Sequence, residues 1–247
     1  MKQLTKQNNL IHRNSISLRS YETMAEYYYN DIDTKPFNAY YERPATLSLL
    51  PCVNGKKVLD AGCAAGWYSQ WLLEQGATVT ALDFSPRMIE MTKKRVGNKA
   101  DVIQADLNNP LSFLTDSSLN IILSSLTLHY LKDWTGIMSE FYRTLQQGGH
   151  LVMSVHHPFM DFTEFKCHNY FATELLQDEW ITPDGKVPVQ FYRRPLHKII
   201  SSVLDAGFLI EKLLEPMPTE KFLELQPRTY ELLTKKPHFL FLKARKL

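Results

Sequence analysis

Along the 247-residue chain the spacing of hydrophobic and polar positions changes period several times, and each change predicts an element. In SISLRSYETMAEYYYND, the residues Ile16, Leu18, Tyr21, Met24, Ala25 and Tyr28 fall roughly on one side of a helix over 15–29, and a second helix is expected over 36–50. From Lys57 onward short apolar runs alternate with helical patterns. They predict strands over 57–60, 78–82, 101–104, 119–124 and 150–156, and helices over 66–74, 85–95 and 134–145. Ser85 is the expected cap of its helix, with Pro86 at the first position, and Gly148 with Gly149 is expected to close the 134–145 helix. After an interruption come a helix over 196–205 and strands over 208–214 and 238–244, while residues 1–14 read as polar and loose. Such alternation predicts a parallel sheet with helices on both faces.

The interruption spans 157–195. It is aromatic and proline-broken, with a Pro-Asp-Gly turn expected between extended segments. An insertion after a late strand lies at the carboxyl ends of the strands, where open α/β sheets bind ligands, so this stretch reads as a substrate lid. The division expected is a helical cap over 1–50 and a main domain over 51–247 carrying the lid at 157–195.

Composition sharpens this picture. Apolar residues make up 44% of the chain and aromatic ones 12%, enough for a substantial core. With 28 basic against 26 acidic side chains, and no basic cluster, a nucleic-acid partner is not expected; KARKL at the end and the pair Arg193, Arg194 read as solvated. Cys52, Cys63 and Cys167 are odd in number and unevenly spaced, which argues for reduced thiols rather than a disulfide framework. No run has signal-peptide character or membrane-spanning length, so a cytoplasmic protein without a membrane partner is expected, monomeric or a homodimer.

The chemistry concentrates where strands end. Gly62 and Gly66 in VLDAGCAAG bracket a tight strand-to-helix turn, and Asp60, Asp83 and Asp106 close three successive strands at one edge of the sheet. Asp83 has the spacing of an acid that grips a ribose diol, and Asp106, in IQADL, could accept a bond from an exocyclic amine.

VLDAGCAAG, TALDFS, IQADL and a helix running to Gly-Gly before LVMSVHHP together resemble the class I S-adenosylmethionine-dependent methyltransferases, over about 55–157, with the last two strands similar as well. The likeness is to the small-molecule branch that includes the ubiquinone and menaquinone methyltransferases. It implies a Rossmann-like, mostly parallel seven-stranded sheet with an antiparallel last strand. The implied cofactor is S-adenosyl-L-methionine, leaving as S-adenosyl-L-homocysteine. Asp60, Gly62 and Gly66 would surround its methionine part, with Cys63 in the same loop. Asp83 would hold the ribose, Asp106 the adenine amine, Phe84 would pack on the adenine and Leu107 would offer backbone contact. Ser124 and Ser125 would border the methyl group, and Tyr21 or Tyr28 would close over the methionine end. Ala64 stands where the family often has glycine, and Asn120 where it often has an acid.

Rival chemistries fit less well. A G-x-G-x-x-G dinucleotide fingerprint would need glycine at 64 and 67, where the chain has Ala64 and Trp67. SSLTLHY lacks the prolines of exocyclic-amine base methylation, and Cys52, the other candidate nucleophile, precedes the cofactor loop and reads as a packed thiol. No metal is expected. Ser124, Ser125 and Thr127 offer no oxygen cluster, and the neighbours His156 and His157 point to opposite faces of a strand. A small-molecule acceptor is therefore the expectation; a module that binds the cofactor without turning it over is the alternative, with RNA or protein acceptors ranked behind. Should the acceptor need to lose a proton, His157 and His129 are the candidate bases. The rings of the insertion suggest an apolar or flat acceptor.

Overall fold

The computed structural model describes residues 16–183 and 185–247. The expected loose start at 1–14, Ser15 at the head of the first helix, and Asp184 in the expected turn lie outside them.

Helix α1 covers Ile16–Asp31, and after a turn the chain passes through a π-type turn, Asn38–Glu42, into α2, Arg43–Leu49. Then follow β1 (Lys57–Ala61), α3 (Trp67–Glu74), β2 (Thr78–Asp83), α4 (Pro86–Val96) and β3 (Asp101–Gln104). β4 (Leu119–Ser125), α5 (Thr135–Thr144), β5 (Leu145–His156) and α6 (Pro158–Glu164) continue the alternation. The insertion holds β6 (Glu174–Thr182) and β7 (Gly185–Arg193), and the chain ends with α7 (Leu196–Asp205), β8 (Phe208–Leu214), α8 (Glu220–Leu225), α9 (Pro227–Leu233) and β9 (Phe239–Lys246).

Seven strands form one sheet in the order β3-β2-β1-β4-β5-β9-β8. β9 runs antiparallel to both neighbours and the remaining pairs are parallel. This is the expected Rossmann-like, mostly parallel sheet with one antiparallel strand. The apolar strands are buried on both faces: one core layer gathers Leu59, Leu82, Ile122 and Leu151 with Phe141 and Val203, the other Val58, Val79, Leu123 and Phe241 with Leu72 and Leu49. The segment ahead of β1 joins the second layer through Tyr41, whose ring stacks on Phe239 with centroids 5.3 Å apart.

Most predicted elements stand where the periodicity put them. The Ser85 hydroxyl accepts from Met88 N at 3.1 Å, closing the start of α4 with Pro86 at its first position. Gly148 and Gly149 do not close a helix. They lie inside β5, which begins at Leu145, and Gly148 at φ +76° serves the register break opposite Leu119 and Ile121. The short helices α8 and α9 had no counterpart in the sequence reading. Phe222 of α8 is fully buried against Phe37 and Tyr41, so tertiary contacts rather than periodicity hold these turns.

The insertion is an antiparallel hairpin, register Glu174↔Arg193 to Thr182↔Gly185. It lies against α1: Ser17 Oγ donates to Gln190 O at 2.6 Å, Ser20 bonds Pro188 O, and the rings of Tyr21 and Trp180 meet edge-on at 5.9 Å. Arg193 and Arg194 are buried, not solvated. Arg193 donates to the carbonyls of Asn169, Tyr170 and Ala172, tying the insertion's loop together, and Arg194 bonds Leu131 O while stacking on Trp134. Cys52, expected to be packed, is exposed.

Candidate active site

Strand β1 ends in a bend whose backbone is turned inward by β2: the amides of Gly62 and Cys63 both donate to Leu82 O at 2.8 Å. Gly62 has φ +89°, a region that side chains rarely occupy. Ala64 follows in the left-handed region at φ +46°, so the alanine is accommodated there; its amide donates to Asp83 Oδ2 at 2.9 Å. Asp83 Oδ1 accepts from Ser85 N at 2.9 Å, so one carboxylate joins the β1 bend to the start of α4. Burial raises the Asp83 carboxyl to about 6, against the opposing amides of Ser85, Ala64 and Phe84. Asp106, after β3, accepts from Asn108 through both N and Nδ2, at 2.9 and 2.8 Å.

These groups border one cavity of about 890 Å³. Of the residues expected at a cofactor site, Tyr21, Gly62, Cys63, Asp83, Phe84, Asp106 and Leu107 line it, together with Tyr28 and Ser125. Asp60, Gly66 and Ser124 do not. Asp60 is 1% exposed and accepts from Ser69 Oγ of α3 at 2.6 Å, so its carboxyl braces the helix that follows the bend. A Cβ on Gly66 would come within 3.0 Å of Thr92, which marks a close packing position between α3 and α4. Ser124 points into the sheet, its Oγ donating to Ala61 O, because neighbours on a strand face opposite ways and Ser125 takes the cavity side.

The candidate bases separate. His129 lines the cavity, stacked on His156 with ring centroids 4.2 Å apart. Burial, helped by His156 and Arg194, pushes its imidazole well below the ordinary histidine range. It is thus neutral near pH 7 and a weak base. His157 does not line the cavity. Its Nδ1 accepts from Phe159 N at 3.3 Å to cap α6, which leaves Nε2–H to donate to Glu215 at 2.6 Å, so the ring holds the first helix of the insertion and does not face the cavity. His156 and His238 line the cavity instead, lowered by burial to about 3 and about 4.

Glu42 was not singled out in the sequence, yet it lines the same space. It is 1% exposed and accepts from four hydroxyls: Thr46 at 2.6 Å, Tyr68 at 2.7 Å, and Ser125 and Ser154 at 2.8 Å each. The donors come from residues up to 112 positions away, so no local pattern could announce it. Arg43 stacks on Trp67 at 3.9 Å and donates to the carbonyls of Ile32 and Asp33. Tyr21 and Tyr130 share a hydroxyl contact of 2.7 Å beneath Trp180 of the hairpin. Among the described residues no cluster of three or more His, Cys, Asp or Glu is disposed to hold a metal.

The Asp60 carboxyl gives this site a pH signature. Burial chiefly, and the nearby Asp83 charge, raise it to about 7 from a usual 3.8, in spite of the Ser69 bond. The folded chain therefore keeps a proton that the unfolded chain releases. That contribution is whole below about pH 4 and is lost as pH rises toward 7. Asp60→Asn is expected to flatten the fall of the melting temperature between pH 4 and 7, leaving it above wild type at pH 8. Calorimetric melts across pH check this, and parallel curves for the two proteins would refute it.

A model described as "Methyltransferase domain" matches residues 59–153, the stretch from β1 through β5 that carries the bend and the three strand-end acids. The solved structure of an S-adenosylmethionine dependent methyltransferase from Mesorhizobium loti aligns over 85% of this chain and 99% of its own, with a TM-score of 0.69 and 25% identity. The chain carries a class I S-adenosylmethionine-dependent methyltransferase domain. Its cofactor is S-adenosylmethionine. An uncharacterized protein of Haemophilus influenzae is 29% identical to the methyltransferase over 85% of this chain and 89% of that one. A malonyl-[acyl-carrier protein] O-methyltransferase of Serratia marcescens is 32% identical over 40% of this chain, a match spanning 38% of that enzyme's length.

The residues present fit the cofactor. Asp83 ends β2 and Asp106 follows the adjacent β3, both at the rim of one cavity, with the open bend of Gly62 beside them. No helix among the described residues is long and apolar enough to cross a membrane.

Proposed function

We propose that this methyltransferase alkylates a small, flat, largely apolar acceptor. The observation that carries the reading is the single cavity running from Asp83 and Asp106 to Trp180 and Tyr192 of the hairpin. Its volume lies near the upper end of the ~300–1,000 Å³ usual for ligand sites, which suits a nucleoside cofactor and an acceptor side by side.

In this reading Asp83 accepts the ribose hydroxyls, Asp106 the adenine amine, and Phe84 with Leu107 flanks the base, while Cys63 and the Gly62 bend border the methionine part. Arg43, the cation stacked on the first residue of α3, offers its charge to the methionine carboxylate. The bound cofactor supplies a methyl group on a sulfonium, already activated for displacement. The chain's own work is alignment and exclusion of water. Tyr21, Tyr130 and Trp180 roof the cavity, and the hairpin is the element that would part from α1 to admit the acceptor. His129, uncharged at neutral pH, orients a hydroxyl or amine of the acceptor by a hydrogen bond and leaves most of the proton's departure to solvent.

Asp83→Ala should weaken S-adenosylhomocysteine binding by ~1.5–3 kcal/mol, the value of a charged hydrogen bond, or roughly 10- to 150-fold. Titration calorimetry reads this directly, and an unaltered affinity would remove the ribose assignment. Turnover is tested by incubating the protein with methyl-labelled S-adenosylmethionine and a fractionated small-metabolite extract. Label passed to a small molecule supports the reading; label that stays on the cofactor at every fraction points to a binding module.

A further inference from the structure

One ammonium in the cavity has no ion-pair partner among the described residues. Lys35, between α1 and the π-type turn, lines the space with its ammonium 5.1 Å from the ring centre of Trp180 and 5.9 Å from that of Tyr28. None of the ion pairs among the described residues involves it. Burial lowers its pKa, and the acid that opposes the shift, Asp31, lies beyond salt-bridge reach. A half-desolvated ammonium held on two aromatic faces lacks the water that a surface lysine keeps, so an anion brought to it meets little competition.

The other charged groups around the cavity have partners. Glu42 is filled by its four hydroxyls, Asp83 by two amides, Asp106 by Asn108, and Glu179 pairs with Lys186. Asp178 accepts from Glu179 N, and its field falls on His238 and Tyr130. Arg43 is in no ion pair either, but its guanidinium donates to two carbonyls and lies against Trp67, on the side of the glycine bend, where the proposed function gives its charge to the cofactor. Lys35 instead sits under the hairpin, with Trp180 and Tyr28, where an acceptor would enter.

We propose that the methyl acceptor carries an acidic group, a carboxylate or phosphate, whose oxygen pairs with Lys35 Nζ beneath Trp180. The inference rests on the methyltransferase reading and narrows its substrate to flat acids. The three neutral histidines, His129, His156 and His238, then face the uncharged part of the molecule, and the cation at the rim sets which end enters first.

The test uses the full chain saturated with S-adenosylhomocysteine and three probes of one shape: 2-naphthoate, 2-naphthyl phosphate and the neutral 2-naphthamide. Calorimetry should show at least one acid binding about tenfold or more tighter than the amide, and the stronger of the two names the group. That preference should vanish in Lys35→Ala and in Lys35→Met, which keeps the apolar stem, and persist in Lys35→Arg. Affinity for S-adenosylhomocysteine should stay within about twofold in all three variants. Equal binding of acids and amide, no binding of either acid, or a preference that survives Lys35→Met overturns the proposal. So does a large loss of S-adenosylhomocysteine affinity in Lys35→Met, since Lys35 would then serve the cofactor's own carboxylate. Failure of the wild-type chain to bind S-adenosylhomocysteine would instead strike the methyltransferase reading.

Discussion

Gly62→Ala should abolish measurable cofactor binding at concentrations where the wild type is saturated. A Cβ built at this position lies 2.1 Å from Thr127 Oγ1, 2.3 Å from its Cγ2 and 2.7 Å from its Cβ, far inside contact distance. Thr127 has little freedom to withdraw, because its hydroxyl donates to Ser125 O at 2.8 Å and its branched Cβ allows few rotamers. The φ of +89° adds the ~1–2 kcal/mol that a side chain costs in left-handed backbone. The bend must therefore move, and its amides are the ones fixed to Leu82 O beside Asp83. Affinity for S-adenosylhomocysteine is expected to fall more than ~100-fold, about 3 kcal/mol. Thr127→Gly in the same chain removes the obstructing atoms and should return part of the loss, a non-additivity expected only of touching positions. Unchanged binding by Gly62→Ala would show that the bend yields without harm.

The largest loss of stability is expected from Glu42→Ala. Four hydroxyls converge on one buried carboxylate, and they belong to α2, α3, β4 and β5. Removing the acceptor leaves Tyr68, Thr46, Ser125 and Ser154 to find new partners at the foot of the cavity. Unsatisfied buried groups cost ~1–3 kcal/mol each, although hydroxyls that rotate or take up water recover much of it, so a net ~3–5 kcal/mol is expected. For a chain of this size that corresponds to roughly 10 °C in melting temperature. Glu42→Gln, which keeps one acceptor oxygen but turns an amide donor toward other donors, should fall between. Denaturant titration measures both. A change below ~1 kcal/mol for Glu42→Ala would mean that the hydroxyls re-pair among themselves.

Glu42 also shows where sequence reasoning stopped. The strand-end side of the cavity was legible because its parts are local: a strand end, a bend and a helix start recur within residues 58–108, and each is set by backbone sterics and short hydrogen bonds. Asp83 and Asp106 are at the cavity for that reason. Asp60 was misassigned by the same logic, since its position at the strand end is local but its side-chain direction is decided by Ser69 on the packed helix. His157 failed likewise. His156 ends β5 and lines the cavity, whereas His157, one residue beyond the strand, caps α6 and bonds Glu215.

The solvated reading of Arg193 and Arg194 failed for a different cause. Both guanidiniums are buried by bonding backbone carbonyls of a loop and a turn that lie 21–63 residues away, a satisfaction that no composition reveals. α8 and α9 were missed because they are one or two turns long and are held by Phe222 and Leu233 packing on distant rings. Such turns carry no periodicity of their own.

Chain order alone determined the alternating sheet, the glycine bend and the acids that flank it, because period, caps and turn residues act over a few positions. The side of the cavity under the hairpin was decided only in three dimensions. Lys35, His129, His156, Trp180, Tyr192 and His238 meet because the segment ahead of β1, the loop after β4, the end of β5, the hairpin that follows it and the approach to β9 all fold to one cavity from positions far apart in the chain.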